Sequence, residues 1–76
     1  MIAYEVAYET AKKLKENIDV CTETENGYIF GCKADDNYEG GQHTPIVILK
    51  KDGKAVNMPW FVIHGMGEEI RTFDIE

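Results

Sequence analysis

The chain has 76 residues, 43% apolar and 29% charged, with fourteen acidic against eight basic side chains and a net charge of −6. This length allows a single domain, residues 1–76, and the apolar share is that of a packed core, not of a disordered chain. The acidic excess speaks against a nucleic-acid backbone or an anionic membrane as partner, since both need clustered Lys and Arg; a basic protein is the partner this charge suits.

Residues 2–17 predict a helix. Ala3, Val6, Ala7, Ala11 and Leu14 recur at helical spacing with Ile18 next in line, while Glu5, Glu9, Lys12, Lys13 and Glu16 fall opposite. Lys12, Lys13 and Lys15 suit the negative end of the helix dipole, and Asn17 is a natural end residue. Tyr4 and Tyr8 sit one turn apart at the edge of the apolar stripe, placed to pack on a sheet. Met1 leads directly into this segment without a basic region or an apolar signal core, and no stretch approaches the roughly 18 apolar residues of a membrane helix. A soluble, cytoplasmic protein is expected.

Two strands follow, joined by Glu25-Asn26-Gly27. A two-residue Asn26-Gly27 turn sets Glu23 against Phe30 and Val20 against Lys33. A three-residue loop with left-handed Gly27 sets Thr22 against Phe30, Val20 against Cys32, Ile18 against Ala34 and Asp19 against Lys33. The second register separates apolar from charged faces and is preferred. It turns Cys21 toward Gly31, away from Cys32, so a disulfide between them is excluded and both thiols are expected to be reduced.

Residues 35–43, DDNYEGGQH, form a polar loop. Thr44-Pro45 opens a strand over Ile46 to Lys50 that is apolar on both faces and therefore central and covered. Asp52-Gly53 marks a second hairpin into Lys54 to Met58, and Pro59 stops the pairing or marks an edge. Trp60 to His64 reads equally as a strand or as one helical turn ended by Gly65. Arg71, Phe73 and Ile75 alternate with Thr72 and Asp74 as a last strand. The whole is α+β: one N-terminal helix packed on an antiparallel sheet of four or five strands. Val6, Leu14, Val20, Phe30, Ile46, Ile48 and Val56 are its expected core.

No catalytic, cofactor or metal constellation stands out. Cys21, Cys32, His43 and His64 have zinc-binding atoms but lack the short paired spacings of zinc sites. Asp35, Asn37, Glu39 and Gly40 imitate the start of a calcium loop, yet the twelfth position is Ile46 where a bidentate acid is required. The Gly40-Gly41 and Gly65-Met66-Gly67 steps are too short for phosphate loops, and the sequence contains no serine. The aromatics without an assigned place in the core are Tyr38, in the acidic loop, and Trp60, after Pro59. Tyr and Trp concentrate binding energy at protein interfaces. The candidate partner-binding residues are therefore Asp35, Asp36, Tyr38, Glu39 and Trp60.

Gly27-Tyr28-Ile29-Phe30, then Gly40 to Ile48 and Lys51-Asp52-Gly53-Lys54, resemble elements of the immunity protein 35 (YrhB-like) group of small bacterial domains. The resemblance spans about residues 3–56. Tyr28 stands where that group has tryptophan, the 41–44 stretch is longer, and nothing from Met58 onward corresponds. It implies a non-enzymatic binder that neutralises a toxin by contact. A homo-oligomeric structural or regulatory protein is the alternative.

Overall fold

A computed structural model of the chain describes residues 1–15, 18–32 and 45–75. Helix α1 is Tyr4–Leu14. It meets the sheet through Tyr4, Ala7, Tyr8 and Ala11: of the expected stripe Ala7 and Ala11 are fully buried, whereas Val6 is 51% and Leu14 60% exposed. The reason lies in shape. Two alanines let the helix approach closely, and the tyrosine rings fill the space beside them. The Tyr4 ring lies 5.3 Å from Phe73 and 5.9 Å from Phe30, and Tyr8 lies 6.3 Å from Phe30. Such aromatic groups bury far more surface than a valine. Val6 is turned off this face. Leu14 stays near it but stands at the end of the helix, beside the sheet edge.

The sheet has five antiparallel strands, β1 Val20–Thr24, β2 Gly27–Gly31, β3 Ile46–Leu49, β4 Ala55–Asn57 and β5 Glu69–Asp74, in the order β4-β3-β2-β1-β5. This agrees with the α+β expectation. The first hairpin departs from the expected register: Val20 faces Gly31, Cys21 faces Phe30 and Glu23 faces Tyr28. The turn is Glu25-Asn26, and Gly27 is a strand residue with no positive φ. The Thr24 side chain explains the difference. Its buried hydroxyl donates to Gly27 O and accepts from Gly27 N, both at 3.2 Å, closing the turn one residue earlier. Cys21 consequently points into the core against Phe30, not toward Gly31. Both cysteines are unbridged, and Cys32 Sγ donates to Asp19 Oδ2 at 3.9 Å. The expected partners Lys33 and Ala34 lie outside the described residues.

Strand β3 is covered on both faces, as its sequence requires. Ile48 joins Ala7, Ala11, Ile18, Cys21, Tyr28 and Phe30 beneath α1. Val47 and Leu49 pack with Phe61 on the other face. Phe61 belongs to the second helix, α2 Met58–His64, which resolves the ambiguous segment as helical, with Gly65 following at φ 93°. There are thus two apolar layers, not one cluster. Val56 packs in the second layer, Ile46 is half-buried beside the first, and Val20 is only half-buried. A Cβ on Gly27 would fall 2.8 Å from Phe61 Cζ, so the glycine is what lets α2 settle on the sheet.

The connection from α2 to β5 is pinned across the first turn. Asn26 N donates to Met66 O, Glu25 N to Glu68 O, and Asn26 Nδ2 to Gly65 O. Among the described residues no helix is long and apolar enough to cross a membrane.

Candidate functional site: a cleft at the β4 edge

Strand β4 is one edge of the sheet. It ends at Asn57, which is both the last residue of the strand and the cap of α2: its Oδ1 accepts from Trp60 N at 2.8 Å. Pro59 follows within the first helical turn, where its fixed φ and missing N–H fit. The cap thereby places Trp60 directly beside the strand edge. The indole stacks on His64 with ring centroids 4.0 Å apart and planes at 15°, and His64 Nδ1 lies 2.9 Å from Trp60 O. Trp60 remains 38% exposed.

Leu14 and Lys15 at the end of α1, Pro45 before β3, Val56 and Asn57 of β4, and Trp60 line a cleft along this edge. The exposure of Leu14 now has a place. It overhangs the edge strand from the α1 layer while Trp60 does so from the α2 layer. On the outer side of α2, Val62 and Ile63 are 56% and 79% exposed. A second depression on the other flank of Trp60 runs past Phe61 and His64 to Asn26 and Lys51.

Charge is distributed unevenly. Glu25, Glu68, Glu69 and Asp74 are exposed on β5 and the adjoining turn. On the cleft side Lys15 is in the lining and exposed Lys54 stands just before β4.

The buried or half-buried groups with nucleophilic or acid–base capacity, Cys21 and Glu23, do not line the cleft. Cys21 is fully buried, and burial, reinforced by the Glu23 charge, pushes its thiol up to about 12; it is a core thiol, not a nucleophile. Glu23 accepts from Lys50 and Arg71, and these hydrogen bonds hold its carboxyl below the usual range. His64 is engaged with Trp60. Among the described residues no three His, Cys, Asp or Glu side chains come together as metal ligands.

Of the residues singled out from the sequence, Trp60 lies in the cleft; Asp35, Asp36, Tyr38 and Glu39 lie outside the described residues. Leu14, an expected core residue, lines the cleft instead, whereas Val56 packs against the second core layer and also borders the cleft. Helical periodicity reports a residue's angle around the axis and is blind to whether the helix outruns the sheet. The Glu23–Lys50 pair carried no local signal, because its members are 27 positions apart. No family model matches the chain, and neither the curated proteins nor the solved structures compared with it give a match.

Proposed function

We propose that this chain is a non-enzymatic protein-binding domain of immunity type, acting in the cytoplasm, that docks a partner protein through Trp60. The observation that carries this reading is the position of the indole: more than a third exposed, stacked and held by an N-cap, beside an apolar cleft. A rigid, half-covered tryptophan is the type of side chain on which interface energy concentrates. The net charge of −6 favours a basic partner. The acidic side chains of β5 and those at Asp35, Asp36 and Glu39 steer it at long range, with Tyr38 adding contact. Steering raises association rates more than affinity.

The test is titration calorimetry with a partner isolated from the native host. Trp60→Ala should weaken binding at least about tenfold, a loss typical of an interface anchor, without lowering the melting temperature. Charge reversal at Asp35, Asp36 and Glu39 should slow association and flatten its salt dependence. Unchanged affinity in Trp60→Ala overturns the anchor.

A second reading, a homo-oligomeric structural or regulatory protein, draws on exposed Val62 and Ile63 and on the outer strands β4 and β5. Light scattering on the isolated chain separates the two, since only this reading requires a dimer or larger species without a partner.

A further inference from the structure

The binding mode at the cleft can be read from the β4 backbone. Leu49 N donates to Lys54 O at 2.9 Å, and Val47 pairs with Val56. The Lys54 carbonyl and the Val56 peptide groups therefore turn inward to β3, while Lys54 N donates to Asp52 Oδ1; by the alternation of an antiparallel ladder Ala55 and Asn57 turn theirs outward. The Asn57 carbonyl belongs to the first turn of α2. This leaves the Ala55 N–H, the Ala55 C=O and the Asn57 N–H aimed along the sheet plane into the cleft, and among the described residues no strand lies outside β4.

We propose that the cleft accepts an extended segment of the partner protein as a sixth strand on β4. This rests on the reading of Trp60 as the contact residue and specifies how the contact is made. Pairing would satisfy the outward backbone groups, and alternate side chains of the segment would find apolar surface on both sides. Residues on the face of Ala55 meet Leu14, and residues on the face of Val56 meet Trp60. The jaws overhang the edge from opposite layers, a geometry suited to an extended chain. Exposed Lys54 at the head of β4 favours a segment with an acidic residue at its end. The acidic β5 edge lies four strands away, so the segment's own charge and the partner's overall charge are read by different parts of the molecule.

Trp60 is the sole tryptophan, so its emission reports the cleft directly. The probe is an N-acetylated, C-amidated hexapeptide with terminal aspartates around alternating valine and threonine. Matched peptides carry terminal lysines or N-methylated central residues. The aspartate peptide should shift Trp60 emission saturably and slow amide exchange at Ala55 and Asn57. The lysine and N-methyl peptides should each bind about tenfold more weakly, the equivalent of one net hydrogen bond. Ala55→Pro, which removes an outward N–H that an edge strand does not use, should give a similar loss. An emission shift with unchanged exchange at Ala55 and Asn57 overturns strand pairing and leaves Trp60 as a side-chain anchor. No shift with any peptide also overturns it. Protection of the two amides that grows with protein concentration, in the absence of peptide, assigns the edge to a second copy of this chain and overturns the proposal.

Discussion

Glu23 Oε2 accepts from Lys50 Nζ at 2.7 Å, and both side chains are largely shielded from water, at 15% and 9% exposure. The other carboxylate oxygen accepts from Arg71 Nε at 2.8 Å, and Lys50 Nζ lies 5.0 Å from the Tyr28 ring centroid. One carboxylate thus joins β1 to β5 and to the residue after β3. Glu23→Ala would leave the Lys50 ammonium buried without its carboxylate, at a cost of about 3 kcal/mol. Chemical denaturation of the variant measures it.

The same carboxylate makes the fold sensitive to acid. Its folded pKa is depressed by the Lys50 and Arg71 hydrogen bonds, so the unfolded chain binds the proton first as pH falls. The stabilisation is present above the unfolded value, about 4.3, and declines as pH drops through the folded one. Glu23→Gln should flatten the acid limb of a stability–pH curve; an unaltered limb would assign the acid sensitivity to other carboxylates.

The alkaline limb has the opposite origin. Cys21 is held up to about 12, chiefly by burial, and burial raises Tyr28 as well. The unfolded thiol ionises near 8.5. Stability contributed by the neutral thiol is complete below that pH and is lost as pH rises toward 12. At neutral pH a thiol reagent should label Cys32 in the native protein and both cysteines only after unfolding. Rapid native labelling of two thiols would contradict the burial of Cys21.

Phe30 of β2 is fully buried beneath α1, its ring against those of Tyr4 and Tyr8. Phe30→Ala should cost about 3–5 kcal/mol, enough to unfold a domain with the usual margin. Calorimetry that found an unchanged melting temperature would refute the assignment of this face.

Gly27→Ala tests the other layer. The added methyl would lie 2.8 Å from Phe61 Cζ and 3.1 Å from Ile48 O, against a ring that is itself buried. The expected cost is about 1–3 kcal/mol, together with a displaced α2 that shifts Trp60 emission. A left-handed Gly27 in a loop would have predicted strain of another kind, with no response from Trp60.

Local chemistry made several elements legible in advance. The unbroken apolar run of β3, covered on both faces, the Asp52-Gly53 turn and the period-two pattern around Phe73 depend only on near neighbours. The same holds for the existence of α1, whose 3.6-residue period survives whichever residues face inward. Contacts between distant segments decided the rest. The first hairpin took its register from the Thr24 hydroxyl, and its Gly27 was needed under Phe61, more than thirty positions later in the chain. Helix α1 turned toward its tyrosines because Phe30 and Phe73 offered them aromatic partners. Leu14, Val56 and Trp60 became a cleft only once two helices overhung one short edge strand. Periodicity assigns a residue to a face, but burial and exposure depend on how far each face extends over its neighbour, and that is settled when the layers pack.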